Sequence, residues 1–201
     1  MNVRIRTARE SDAAELLSIY TPYVLDTAIT FEYEVPDTET FVERIRTTLQ
    51  RYPYLVAEDK ESGSLLGYAY ASVFHARPAY DWAVETSIYV KREQRKTGAG
   101  RLLHDALERA LKAQGILNMN ACIACPPQKT LAEKQEDIHL DRNSIEFHAH
   151  MGYRMVGAFY QCGYKFHQWY DMVWMEKLIG AHLVDQPPIK LYPEVEQKLW
   201  G

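Results

Sequence analysis

A mixed β-sheet with helices on both faces, an α/β fold of the α+β kind, is what the order of hydrophobic patterns in this chain predicts. Three observations carry it. The N-terminal half holds strand patterns joined by a tight turn. The C-terminal half alternates strand and helix patterns. Between them, the run Arg95-Lys96-Thr97-Gly98-Ala99-Gly100-Arg101 links an apolar strand to an amphipathic helix.

Residues 3–6 alternate apolar and polar, as a half-buried strand does. Ser11 and Asp12 are positioned to cap a helix whose apolar positions include Ala14, Leu16, Leu17 and Ile19, with Pro22 where that helix should bend or restart. Residues 30–33 read as extended, and Asp37 or Thr38 caps a second helix carrying Phe41, Ile45 and Leu49. Residues 54–58 and 65–73 form a hairpin around a turn at 60–63, and residues 83–90 form a third central strand. A helix from near Leu102 to Gln114 ends at Gly115. Its positions Leu103, Ala106, Leu107, Ala110 and Leu111 fall on one face and predict core. A strand at 119–124, a helix at 145–151 capped by Asn143 and Ser144 and closed by Gly152, and strands at 153–160 and 169–178 complete the pattern. Residues 126–142 are polar and too long for an ordinary connection, so they read as an insertion. Residues 181–201, with Pro187, Pro188 and Pro193, read as an extended tail that docks on the body or on a second subunit.

A length of 201 residues suits one domain with a sizeable core, or one domain with a tail. The net charge of −4 argues against nucleic acid as the main partner. No apolar run reaches the ~20 residues that span a bilayer, and the first residues lack the apolar stretch of a signal peptide. Three cysteines fit a reducing compartment, so a cytoplasmic protein is expected. The fourteen tyrosines could line a pocket or fill the core. Cys122 and Cys125 have C-x-x-C spacing, but a zinc site wants a second pair and only Cys162 and His139 remain, so no metal is expected. The charged run at 129–137 reads as a solvated face.

The loop from Arg95 to Arg101 carries the first functional signal. A strand, a glycine-containing loop and a helix N-terminus together make an anion cradle, because free N–H groups of the first turn point at the anion and glycine lets the backbone approach it. Arg95, Lys96 and Arg101 add positive charge. The spacing lacks the Gly-Lys-Ser/Thr of a P-loop and the third glycine of a Rossmann fingerprint. The residues alone also allow a simple tight turn.

Several segments, in this order, resemble the GNAT superfamily of acyl-CoA-dependent N-acyltransferases, and within it the phosphinothricin acetyltransferase group. They are Arg51-Tyr52-Pro53 with Leu55-Val56-Ala57-Glu58, Ala76-Arg77-Pro78-Ala79-Tyr80-Asp81-Trp82, Glu85-Thr86-Ser87-Ile88-Tyr89-Val90, the loop at 95–100, Asn143-Ser144-Ile145-Glu146-Phe147-His148 with Met151-Gly152-Tyr153, Gly163-Tyr164-Lys165 and Trp169-Tyr170-Asp171. The resemblance covers residues 4–178 and implies a mostly antiparallel central sheet. It implies one acetyltransferase domain over residues 1–180, a tail at 181–201 and a homodimer.

The resemblance also assigns roles. Arg95, Lys96, Thr97, Gly98, Ala99, Gly100 and Arg101 would bind the pyrophosphate of acetyl-CoA, and the strand edge at Tyr89 and Val90 would bond its pantetheine arm. Glu85 would be the base that takes the amine proton, and His148 would act on the leaving thiolate or as an alternative base. Read from the residues alone, Glu85 could instead sit on an exposed face or in an ion pair, and His148 could be structural. The group's cofactor-binding asparagine falls on Asp141 here, with Asn143 the nearest asparagine, so either could take that role. Phe31, Arg77 and Tyr80 would hold the acceptor, with Arg77 clamping a carboxylate, although core and surface roles are open to them. Lys165 and Trp169 follow the group's pattern with only a structural or pocket-wall role. The expected activity is acetyl transfer from acetyl-CoA to a small amine, an amino acid or an analogue such as phosphinothricin or methionine sulfoximine. The alternatives are another amine, such as a polyamine or protein N-terminus, and a non-catalytic acyl-CoA-binding module.

Overall fold

The computed structural model describes residues 2–94, 97–126 and 139–200. The chain divides into two compact units, one of Met1–Ile19, Pro36–Met119 and Leu178–Gly201, the other of Tyr20–Val35 and Asn120–Lys177. The class is mixed α/β, with mostly antiparallel strands and packed helices, as the pattern predicts.

In the first unit, strands β1 (Val3–Thr7), β2 (Tyr54–Asp59), β3 (Leu65–Val73) and β4 (Ala83–Val90) lie side by side in that order, each antiparallel to its neighbour. The alternation of strand side chains stacks tyrosines from neighbouring strands on one face. Ring centroids are 5.0 Å apart for Tyr54 and Tyr70, 5.7 Å for Tyr54 and Tyr68, and 5.2 Å for Tyr68 and Tyr89. Helix α2 (Thr38–Leu49) presents Phe41 edge-on to Tyr68 at 6.2 Å. Asp37 is its N-cap and accepts the Thr40 N–H at 2.7 Å. Tyr54 and Tyr68 therefore fill the core, while Tyr70 and Tyr89 are half-buried.

Helix α3 (Ala99–Gln114) packs along β1 to β4, with Leu103, Ala106, Leu107, Ala110 and Leu111 buried as its periodicity predicts. It starts earlier than Leu102, because Gly98 supplies the left-handed residue that opens it. The extended-tail expectation fails over its last stretch, where α5 (Tyr192–Trp200) forms and packs on α3. Pro193 occupies the second position of this helix, where a missing N–H breaks no intrahelical bond. The tail is tied down by Gln114 Nε2, which donates to the carbonyls of Arg51 at 2.7 Å and Lys190 at 2.8 Å, and by Trp82 Nε1, which donates to Pro187.

Helix α1 (Ala13–Asp26) begins in the first unit and ends in the second. A short 3-10 turn at Glu10–Asp12 precedes it, and Asp12 reaches back to accept the Arg9 N–H rather than acting as the N-cap. Ala13, not Ala14, is its buried alanine. The helix continues through Pro22, held by the buried side chains of Leu16, Ile19, Tyr20, Tyr23 and Val24, so the expected break does not occur.

The second unit also contains most of β5 (Asn118–Cys125), α4 (Asn143–His150), β6 (Arg154–Lys165) and nearly all of β7 (Gln168–Leu178), with strands in the order β5-β7-β6. Strand β6 runs past Tyr160 because a bulge at residues 160–162 absorbs the register break, with Gln161 at φ 50°. Residues 30–33, expected as extended, belong to no strand. The core of this unit includes Ala28, Ala124, Leu140 and Tyr170. Most of the expected insertion at 126–142, and the charged run at 129–137, lie outside the described residues. Among the described residues no helix is long and apolar enough to cross a membrane.

Candidate active site

The predicted site residues fall in both units. Glu85, Tyr89, Val90, Arg77, Tyr80 and Thr97 to Arg101 belong to the first, and Phe31, Asn143 and His148 to the second. Arg95 and Lys96 lie outside the described residues.

Strand β4 leads through a 3-10 turn at Arg92–Gln94 toward the anion loop. Thr97 Oγ1 donates to the Gln94 carbonyl at 2.6 Å and closes that turn. Gly98 sits at φ 96°, and a side chain there would meet nothing within 4 Å. Backbone conformation, not crowding, therefore asks for glycine. The first intrahelical bond runs from Leu102 N–H to the Gly98 carbonyl at 3.1 Å. The N–H groups of Ala99, Gly100 and Arg101 precede it and point out of the positive end of a 16-residue helix. Arg101 is exposed, 3.7 Å from Asp105 one turn on. This start of α3 fits the pyrophosphate of a nucleotide-bearing cofactor.

Tyr89 and Val90 end β4, paired with Tyr68 and Gly67 of β3. A Cβ on Gly67 would lie 2.6 Å from the Tyr89 carbonyl oxygen, so only glycine lets the strands close here. Glu15 accepts the Leu65 N–H at 2.8 Å and pairs with Lys91 at 3.3 Å, bracing the strand just past Val90.

Glu85 lies on β4 opposite Ser72, half-buried between the buried Val84 and Thr86. Among the described residues its carboxylate makes no hydrogen bond or ion pair, and burial alone pushes its pKa above the ordinary carboxylate value. It is half-buried, not on an exposed face, and no arginine among the described residues pairs with it. An unpaired, half-dry carboxylate on a central strand is poised to accept a proton.

Arg77 caps, and Tyr80 ends, a one-turn 3-10 helix, Pro78–Tyr80, whose closing bond runs from Tyr80 N–H to the Arg77 carbonyl at 2.9 Å. Both are exposed, which removes the core alternative for Tyr80. The Tyr80 ring lies 4.9 Å from His75 and 6.1 Å from Phe74, two aromatic neighbours that the pattern of the sequence did not single out. Arg51 pairs with Asp81 at 2.8 Å and anchors the loop.

In the second unit His148 is buried on α4. Its Nδ1 lies 2.7 Å from the Ser144 carbonyl, which makes Nδ1 the protonated nitrogen. Nε2 then carries a lone pair with no hydrogen-bond partner among the described residues. Burial lowers the pKa of the ring, so the neutral form persists below the usual histidine range. His150 is exposed, as expected. Asn143 is exposed, and its Nδ2 donates to Asp141 at 2.5 Å while its N–H donates to the same carboxylate at 3.1 Å. Phe31 is half-buried against the core cluster of this unit, 6.1 Å from Tyr170.

Lys165 is the residue whose part the sequence left open. It is 3% exposed, and Nζ donates to the carbonyls of Val24, Thr27 and Thr30 at 2.7, 2.9 and 2.8 Å. Nothing in the local sequence marks it, because the predicted strand ends at 160 and only the structure extends β6 to Lys165. Cys122 and Cys125 carry free thiols, and burial raises the pKa of Cys125.

The family model for the acetyltransferase (GNAT) domain matches residues 5–174. The chain belongs to the GNAT acetyltransferases and is an acyl-CoA-dependent N-acyltransferase. It is 35% identical over 182 residues to a phosphinothricin N-acetyltransferase of Streptomyces coelicolor, covering 87% of this chain and 95% of that protein. It is 31% identical over 180 residues to an L-methionine sulfoximine/L-methionine sulfone acetyltransferase of Pseudomonas aeruginosa, covering 88% and 94%. Its fold matches a GNAT phosphinothricin acetyltransferase of Sinorhizobium meliloti, crystallised with acetyl-CoA, at a TM-score of 0.80 and 31% identity, covering 96% and 99%.

Proposed function

We propose that this acyltransferase moves the acetyl group of acetyl-CoA to the α-amine of an amino acid or amino-acid analogue, of the phosphinothricin or methionine sulfoximine type. The observation that carries the acceptor is Arg77. Its guanidinium is exposed, makes no hydrogen bond or ion pair among the described residues, and stands on the same short turn as Tyr80. A planar fork beside an aromatic ring suits a carboxylate attached to an apolar or polar stem. Phe31 supplies an apolar wall.

The pyrophosphate of acetyl-CoA is held by Thr97 to Arg101 at the start of α3, with Arg95 and Lys96 adding charge and Tyr89 and Val90 bonding the pantetheine arm. Asn143 contributes its carboxamide oxygen while Asp141 holds the amide nitrogen. The amine nitrogen attacks the thioester carbon, the new C–N bond forms, and the C–S bond breaks. Glu85 takes the amine proton, through a water, and its raised pKa makes it the better base. The CoA thiolate leaves and takes up the proton that the amine gave up, returned to it from Glu85 through water or from His148. His148 acts on the thiolate or as an alternative base, in either case through Nε2, because its Nδ1–H is held by the Ser144 carbonyl. No step in this scheme calls on a metal.

The same reading takes the protein as a cytoplasmic homodimer, with residues 1–180 as the catalytic domain and 181–201 as its tail. Support for the dimer comes from β6, an edge strand with Met155, Val156, Phe159 and Tyr160 all more than half exposed. The test of the acceptor is thiol release from acetyl-CoA over a panel of amino acids, their sulfoximine and phosphinate analogues, polyamines and peptide N-termini. Amino acids or their analogues give the highest kcat/KM, and Arg77→Ala raises the acceptor KM. Polyamines or peptides at the top of the panel contradict the proposal. So does binding of CoA with no thiol released by any amine.

A further inference from the structure

Three consecutive residues of β6 hold the segment that carries Phe31. Lys165 Nζ donates to the Thr30 carbonyl, and to Val24 and Thr27 at the end of α1. Three carbonyl acceptors call for the three N–H bonds of an ammonium, and the negative end of α1 favours that charge. Tyr164 offers its carbonyl to Tyr33 Oη at 2.5 Å. Gly163 lies directly under the Phe31 ring. A Cβ there would overlap Phe31 Cζ and Cε2 and lie 2.9 Å from Cε1. From the other side Tyr20 Oη bonds Thr30 Oγ1 at 2.7 Å.

The hairpin that presents these residues is itself under strain. Lys165 pairs with Gln168, so Phe166 and His167 form a two-residue turn, at φ 51° and 60°. Such turns favour asparagine and glycine, and two ordinary side chains there are costly. The turn is held by packing: Phe166 stacks on His139 at 3.8 Å, and Lys165 Nζ lies 5.1 Å from the Phe166 centroid. The bulge at Gln161, whose N–H donates to the buried Asp171 at 2.8 Å, then sets which residue faces Phe31.

We infer that Gly163 is a specificity-determining residue: by having no side chain it seats the Phe31 ring, and so sets the apolar wall against which the acceptor binds. The inference rests on the acceptor role proposed for Phe31. The ring is the far end of a flexible side chain, so a methyl group at position 163 moves the ring in preference to the backbone.

The experiment is a double-mutant cycle of Gly163→Ala and Phe31→Leu in the full-length enzyme, read as acceptor KM over amino acids of graded side-chain bulk, with acetyl-CoA affinity measured separately by calorimetry. Gly163→Ala shifts the acceptor KM by about tenfold and re-orders the panel, an effect of the size one methylene has in an apolar pocket. Acetyl-CoA affinity stays unchanged. In the Phe31→Leu background, where there is no ring to displace, the same substitution has little further effect. Unchanged acceptor kinetics in Gly163→Ala, effects that simply multiply, or an equal loss of acetyl-CoA affinity overturns the inference. If Gly163→Ala fails to fold, a folded double variant still supports it, and failure of both overturns it in favour of a purely structural glycine. Phe31→Leu with wild-type KM for every acceptor overturns the acceptor reading of Phe31 itself, and this inference with it.

Discussion

Glu85 and His148 face opposite demands from burial. For the carboxylate, burial disfavours the charged form and raises the pKa; for the imidazole, it disfavours the charged form and lowers the pKa. Both effects act on the acid side of the activity profile. As pH falls, Glu85 is protonated above the ordinary carboxylate value, and kcat/KM falls with it. Glu85→Gln should therefore lower kcat by about 10²- to 10⁴-fold, the usual worth of a positioned base. The same variant should melt at a higher temperature at pH 7. A carboxyl with a raised folded-state pKa stabilises the fold only below its unfolded pKa, and that stability is lost as pH rises through the folded value. Higher activity in Glu85→Gln than this, or a lower melting temperature, contradicts the placement of an unpaired carboxylate on β4. His148→Gln keeps a polar group but loses the lone pair of Nε2. Its kcat should fall, while acceptor and acetyl-CoA KM change little. It should also remove the part of acid destabilisation that begins below the unfolded histidine pKa, where the unfolded chain gains a proton that the buried ring resists. Urea titrations at several pH values measure this.

At the scale of elements, the start of α3 joins fold and function. Gly98 is left-handed with open space around it, so its cost on substitution is conformational. Gly98→Ala should destabilise the protein by about 1–2 kcal/mol, the penalty of an L-residue in that region. It should also raise the KM for acetyl-CoA, because the first-turn N–H groups of α3 shift as the chain relaxes. Acceptor KM should hold. Steady-state kinetics with each substrate varied in turn tests the separation. Helix α2 offers a contrast. Its cap, Asp37, is exposed and is not among the residues of the proposed site, so Asp37→Ala should cost stability alone.

For the whole molecule, the last residues are part of the first unit and not an appendage. Tyr192 is buried, with its hydroxyl 2.7 Å from Thr7 Oγ1 and 2.9 Å from Trp200 Nε1, and Arg109 lies 4.6 Å over the Trp200 ring. Tyr192→Ala removes a fully buried ring and strands the hydroxyl of Thr7, so unfolding free energy should drop by about 3–5 kcal/mol in denaturant titration. The edge strand β6 makes a different claim. Phe159→Glu puts a charge in the exposed apolar row of β6, and sedimentation should report a dimer for the unaltered chain, as proposed, and monomers for the variant. A wild-type monomer, or a dimer untouched by the charge, rejects the proposed association.

The sequence by itself determined the strands and helices whose patterns are local. The alternation of residues 3–6, the hairpin glycine at 63, the stripe from Leu103 to Leu111, and the glycines at 98, 115 and 152 are all legible, because side-chain period and left-handed backbone are properties of a few neighbouring residues. Glu85 and His148 could be picked out by resemblance, but whether Glu85 was paired depends on partners far along the chain, and which nitrogen of His148 carries its proton depends on how its ring turns toward the Ser144 carbonyl. Pro22 and Pro193 misled for the same reason, since packing and helix position, not the residue, decide whether proline breaks a helix. Lys165 and Gly163 look ordinary in the sequence. Only tertiary structure could give them roles, because their partners lie more than a hundred residues away, from Val24 to Phe31, and a buried ammonium or a missing Cβ has meaning only against what touches it.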